Sequence, residues 1–171
     1  MPSIILDGAI VEDGWKTIED GEAPSLEQLS DGNYLVPLSV WNAFITELMV
    51  AEVKTPPANI GLWIASTELP EQIEGDIKAI PVIAVDFPVF ADGRGFSIGR
   101  LLRERYEYKG QLRAIGQPIR DQLNYLVRCG FNAVALAEHY DPEQALASLK
   151  GLSNTYQGAV DQPAPLFRRR D

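Results

Sequence analysis

Hydrophobic residues at the start of the chain form two short runs separated by a turn. The runs are residues 4–6 and 9–11, and the pair Asp7-Gly8 lies between them. An Asp-Gly pair between two apolar runs is a strong signal for a β-hairpin with a two-residue turn. The chain that follows is acidic, rich in turn residues and weakly periodic. We therefore predict an N-terminal hairpin and acidic arm over residues 1–33.

Residues 34–151 alternate between short apolar runs and segments with helical spacing. The apolar runs predict five strands, at residues 34–36, 60–65, 80–85, 111–115 and 133–136. Helices are predicted to follow them, beginning near Ser39, Pro70, Ser97, Pro118 and Pro142. This alternation is typical of an α/β protein with a parallel sheet, and there are too few units for a closed barrel. We predict an open three-layer parallel sheet of about five strands, with a partial β/α barrel as the alternative. Residues 152–171 are predicted to form a C-terminal tail.

Composition restricts the classes of function. Cys129 and His139 are the only residues of their types in the sequence, which excludes an internal disulfide, a cysteine-rich metal site and a multi-histidine metal site. The formal net charge of −9 argues against general nucleic-acid binding, which needs a basic face. The sequence has neither an apolar run long enough to span a membrane nor an N-terminal signal. We expect a cytoplasmic protein with no membrane or nucleic-acid partner.

Charge is divided unevenly along the chain. Residues 1–93 are strongly acidic, whereas residues 94–171 carry a basic excess that consists mostly of arginines. The planar guanidinium of arginine suits two-pronged binding of oxyanions. A solvated bipolar surface is the simpler interpretation. The alternative is that the second part of the chain faces an anionic ligand or an acidic partner protein.

The first candidate site follows the strand predicted at residues 80–85. Two glycines flank Arg94 just before a helix that Ser97 is expected to cap. Free backbone N–H groups and the positive end of the helix dipole would favour an oxyanion there. The predicted ligand-binding residues of this segment are Gly93, Arg94, Gly95, Phe96, Ser97 and Arg100. Asp92 is a candidate acid/base group, although a tight turn with a structural Asp92–Arg94 pair explains the same residues.

A second candidate site follows the strand predicted at residues 111–115. A glycine here would let a ligand approach the backbone, and polar residues are expected in the first turn of the next helix. The predicted ligand-binding residues are Arg113, Gly116, Arg120 and Gln122. Asp121 is a second candidate acid/base group, although its favourable interaction with the helix dipole also accounts for it. His139 and Cys129 are more simply a loop histidine and a packing cysteine, so we predict no metal site.

Several of these motifs together resemble a known bacterial family. The motifs are residues 90–97, 100–105, 112–114, 120–122 and 128–131. They are similar to domain of unknown function family 934, which is usually encoded beside the haem-containing sulfite/nitrite reductase. The family is often labelled an oxidoreductase on that basis alone, and it supplies no catalytic residues to transfer. The sequence departs from its pattern in two places: Gly99 stands where we expect alanine, and Gln117-Pro118 replaces an acidic and aliphatic pair.

The resemblance implies an accessory or partner protein of assimilatory sulfite/nitrite reduction. Such a protein would bind the reductase, its carrier or an oxyanion through an Arg-rich face. The alternative is a small enzyme of the oxidoreductase type that acts on an anionic sulfur- or phosphate-bearing metabolite, with Asp92 or Asp121 as acid/base. An FMN-dependent reductase is a variant of that alternative, and the cofactor stays open. The arginines at residues 168–170 could also pair with the acidic part of a second copy and form a homo-oligomer.

Overall fold

The computed structural model describes residues 3–53, 55–137, 140–149 and 155–169. In these ranges the strands are β1 (Ser3–Leu6), β2 (Ala9–Glu12), β3 (Trp15–Thr17), β4 (Asn33–Pro37), β5 (Ile60–Ile64), β6 (Val82–Phe87), β7 (Gln111–Gly116) and β8 (Ala133–Val134). The α-helices are α1 (Leu38–Val50), α2 (Arg94–Glu104), α3 (Leu123–Arg128) and α4 (Pro142–Ser148). Short 3-10 helices lie at Leu26–Leu29, Pro70–Gln72, Ile77–Ala79, Arg120–Gln122 and Leu166–Arg168. Among the described residues no helix is long and apolar enough to cross a membrane.

All these strands belong to one curled, half-barrel sheet with the order β2-β1-β8-β7-β6-β5-β4-β3. The six strands β3 to β8 run parallel to one another, while β1 is antiparallel to both β2 and β8. The prediction of an open sheet of about five strands is wrong, and the partial-barrel alternative is confirmed. The reason is the strand order. A doubly wound sheet reverses its strand order part-way and so carries helices on both faces. Here strands that follow one another in sequence from β3 to β8 are also neighbours in the sheet, so every right-handed crossover lies on the same face.

The segment from β2 to β3 takes part in both edges of the sheet. β2 pairs with β1 at one edge, β3 pairs with β4 at the other, and only Asp13 and Gly14 separate the two strands. Three peptide units span at most about 11 Å, so the two edges come close together here. The predicted hairpin is confirmed, and its turn residues Asp7 and Gly8 both have positive φ angles, of 48° and 76°. The hairpin and β3 are therefore part of the same sheet as the rest of the chain.

Alternate residues of the central strands face two separate cores, as the two-residue repeat of a strand requires. The larger core fills the space between the sheet and the helices. It includes Val36, Leu62, Ile83 and Leu112 from the strands with Trp41, Ile98, Leu102, Leu126 and Ala145 from the helices. The smaller core lies on the concave face. It consists of Leu35, Val82 and Ala84, with Trp15, Trp63 and Ile115 packed against them.

Helix α2 begins earlier than predicted. Its first residue is Arg94 and its N-cap is Gly93, so Ser97 lies exposed in the first turn and does not cap the helix. A Cβ at Gly95 would overlap the ring of Phe87, and one at Gly99 would overlap the ring of Phe131. The two glycines thus let α2 lie close against the aromatic side chains of the larger core.

Candidate functional site

The loop between β6 and α2 holds a compact polar group. Both oxygens of Asp92 accept hydrogen bonds from the Arg94 guanidinium, at 2.9 Å from Nε and 2.8 Å from Nη2. The hydroxyl of Ser66 donates a third hydrogen bond to Asp92, at 2.6 Å. Arg94 and then Ser66 hold the pKa of Asp92 well below its usual value. Asp92 is therefore an ionised partner of Arg94, and its environment is unlike that of a general acid.

The segment around Arg120 lies beside this loop. Gln122 Nε2 donates a hydrogen bond to the Phe90 carbonyl at 3.3 Å. The ring of Phe96 packs against that of Tyr125 at 4.7 Å between centroids, which links α2 to α3. The structure thus brings the Asp92–Ser97 and Arg120–Gln122 segments together at the carboxyl ends of β6 and β7. The Asp121 side chain is 79% exposed and lies 3.7 Å from Arg120. Farther along α2, Arg100 pairs with Glu104.

This region also exposes large apolar side chains on an ordered loop. Val89 is 54% exposed and Phe90 is 63% exposed. The loop backbone is held by a hydrogen bond from the Asp92 N–H to the Val89 carbonyl, at 3.1 Å, in addition to the contact at Phe90. We call the surface formed by Val89, Phe90, Arg94, Arg120 and Tyr125 the loop face. It combines exposed apolar and aromatic groups with exposed guanidinium groups.

Arg113 lies on the other side of the sheet from the loop face and the helices. Its side chain is only 2% exposed, and its Nη1 donates to both oxygens of Asp13 at 2.9 Å. Its Nε and Nη2 donate to the Gln111 amide oxygen, at 3.2 and 3.0 Å, in the amide orientation that satisfies both groups. Burial lowers the pKa of Arg113 while Asp13 opposes that shift. Arg113 therefore does not share a surface with Arg94.

A cleft of about 460 Å³ opens on the concave face at the carboxyl ends of the strands. Its walls include Trp63, Asp86, Arg113, Ile115 and Gly116, and the acidic residues after β3 border it. Burial, and secondly the charge of Asp92, raise the pKa of Asp86. Gly116 has a φ of 86°, and a Cβ there would collide with the Asp86 carboxylate. The strand ends of a barrel-like sheet are a common place for a ligand site, so this cleft is the second candidate.

The sequence of the chain matches that of one known protein family. A family model described as "Bacterial protein of unknown function (DUF934)" matches residues 61–167. The chain belongs to this family. The resemblance expected from the sequence motifs is thereby confirmed. No curated protein and no solved structure matches the chain.

The matched part of this DUF934 chain runs from β5 to the last 3-10 helix and contains the whole loop face. It also contains Trp63, Asp86 and Arg113 of the cleft, whereas Asp13 precedes it. Of the ligand-binding residues predicted from the sequence, Arg113 and Gly116 line the cleft. Arg100 lies farther along α2, in a pocket that Glu104 and Val160 also line, and the others lie on or beside the loop face. Two groups divided by the sheet thus replace the single Arg-rich face that was expected.

Sequence reasoning missed most of the residues that line the cleft of the DUF934 chain, among them Asp13, Trp63 and Asp86. Asp86 had a usable signal, because a carboxylate directly after an apolar parallel strand lies where ligand sites form. Trp63 and Asp13 had none, because the position of Trp63 near Arg113 depends on strand register and that of Asp13 depends on how the sheet curls. Among the described residues, no group of three or more His, Cys, Asp or Glu side chains could hold a metal ion. Burial raises the pKa of Cys129, while His139 lies outside the described residues.

Proposed function

We propose that this DUF934 chain is an accessory protein of assimilatory sulfite or nitrite reduction that binds the reductase or its carrier through the loop face. The observation that supports it is Phe90, a 63% exposed aromatic side chain on a loop held by hydrogen bonds. Aromatic residues and arginine are enriched at the centres of protein interfaces, and an ordered loop loses little entropy on binding. The reductase as partner rests on the family's usual gene neighbourhood.

The charged groups favour a protein surface over a small oxyanion. Arg94 and Arg100 are already paired with Asp92 and Glu104, and Arg113 is buried on the other face. A free oxyanion would have to compete with these carboxylates. In a protein interface the same pairs can stay intact at the rim, where they direct the orientation of the partner.

The enzyme alternative has less support from the loop face. A general acid or base needs a pKa near the working pH, which burial or a neighbouring like charge normally provides. Asp92 instead has its pKa lowered by Arg94, and Asp121 is largely exposed. A flavin or a metabolite recovered with the purified chain would nevertheless favour the enzyme.

The test is affinity purification of the tagged chain from its native cell, grown with sulfate as sole sulfur source, followed by mass and absorbance spectra. The wild-type chain should recover the sirohaem reductase or its carrier. Truncation of a central aromatic costs about 2 kcal/mol, so Phe90→Ala should weaken binding roughly thirtyfold.

The matched control is Met49→Ala. Met49 is 62% exposed near the end of α1, away from the loop face, and its removal should leave recovery unchanged. Equal recovery with Phe90→Ala and wild type would contradict the loop face as the binding surface. Failure of the wild-type chain to recover any component of the reductase would contradict the accessory role itself.

A further inference from the structure

The cleft on the concave face has a floor built by strand register. Trp63, Ala84 and Arg113 are partners across β5, β6 and β7 and face the same side of the sheet. Ala84 is small and fully buried, so the two large side chains lie on either side of it. One step nearer the open end, Asp86 is the partner of Ile115. The cleft therefore combines an indole, an aliphatic wall and a carboxylate.

The polar groups of the floor are already satisfied within the protein. The Trp63 indole Nε1 donates to the Ile18 carbonyl at 2.8 Å, so the ring is held in place and offers carbon surface to the cleft. The guanidinium of Arg113 is neutralised by Asp13 and also contacts Gln111. These groups shape the cleft but leave no free positive charge in it.

Asp86 is different, because among the described residues no group donates a hydrogen bond to its carboxylate. It is partly buried, and two other acidic residues that line the cleft, Glu19 and Asp20, are exposed. With Arg113 already paired, the charge left in and around the cleft is negative. A half-buried carboxylate without a partner is costly unless a cation or a hydrogen-bond donor joins it.

We propose that the cleft binds a small organic cation, a protonated amine or amidine, which pairs with Asp86 and packs against the Trp63 ring. An aromatic face attracts a cation, and the attraction is larger where water is excluded. A volume of about 460 Å³ is within the range of small-molecule sites. The cleft lies on the opposite side of the sheet from the helices, so this site is independent of the loop face and of the proposed partner.

Benzamidine is a suitable probe, because it carries an amidinium on a flat ring. Benzamide has a similar shape without the charge, and benzoate carries the opposite charge. Each would be titrated into the ¹⁵N-labelled chain while the indole N–H signals of its 3 tryptophans are followed by NMR. Benzamidine should shift the Trp63 signal, assigned with Trp63→Phe, in a saturable way. Trp41 is buried in the larger core and serves as the internal control.

Asp86→Asn should weaken benzamidine binding about tenfold, the effect of losing a partly buried charged partner. Asp31→Asn makes the same charge change at an exposed position outside the cleft and should leave binding unchanged. Equal affinity of Asp86→Asn and wild type would overturn the proposal. Tighter binding of benzoate, equal binding of benzamide, or no saturable Trp63 shift at millimolar benzamidine would overturn it with the wild-type chain alone.

Discussion

Breaking the ion pair between Asp13 and Arg113 should be costly, because both partners lie inside the curled sheet. The Arg113 side chain is 2% exposed and that of Asp13 is 10% exposed. Asp13→Ala would leave the guanidinium buried, with the Gln111 amide as its remaining partner among the described residues. It would also remove the hydrogen bond from the Trp15 N–H to the Asp13 carboxylate.

Removing one half of a buried ion pair typically costs about 3–5 kcal/mol. The cleft borders Arg113 and admits water, so we expect the lower end, about 3 kcal/mol, for Asp13→Ala. Urea unfolding followed by tryptophan fluorescence would measure this as a lower midpoint with an unchanged slope. For a chain of this size the same change lowers Tm by roughly 6–12 °C.

Two further variants test whether burial of the ion pair between Asp13 and Arg113 causes the loss of stability. Glu104→Ala removes the exposed pair with Arg100 and should cost no more than about 0.5 kcal/mol. The double variant Asp13→Leu/Arg113→Met replaces the buried charges by apolar groups and should recover most of the loss. If Asp13→Ala costs no more than Glu104→Ala, the reasoning about the buried pair is refuted.

Two other predictions concern α2 and the cleft. Gly99→Ala should lower the free energy of unfolding by about 1–3 kcal/mol, because a Cβ there overlaps the buried Phe131 ring. This steric cost outweighs the gain in helix propensity, which is up to about 1 kcal/mol. A higher Tm for the variant would contradict this. Burial raises the pKa of Asp86 in the folded protein, so ionising this carboxyl group lowers the free energy of unfolding. This loss of stability is absent below the ordinary carboxyl pKa and complete above the raised pKa of the folded protein. The wild-type chain should therefore lose stability as pH rises through that interval, while Asp86→Asn should be more stable at neutral pH and lack this dependence. Equal urea midpoints for the two chains at pH 7 would speak against it.

Local patterns in the sequence determined much of the secondary structure. Asp7-Gly8 specifies its turn because both residues tolerate a positive φ, and the hairpin follows from the apolar runs beside it. The apolar runs that predict strands correspond to β4 through β8. The pair Asp92–Arg94 was likewise open to prediction, since its partners are two residues apart and meet within one turn. These features depend on neighbours in sequence.

The curl of the sheet, and with it the division of the candidate site, was decided only by tertiary structure. β3 has three residues and no apolar run, and its strand character comes from pairing with β4. Asp13 and Arg113 are 100 positions apart, so their contact depends on the two edges of the sheet coming together. Arginine type and spacing in the sequence suggested one anion-binding face. Strand alternation instead directs Arg113 inward, while Arg94 lies on a helix across the sheet, because pairing between distant strands determines which side each residue faces.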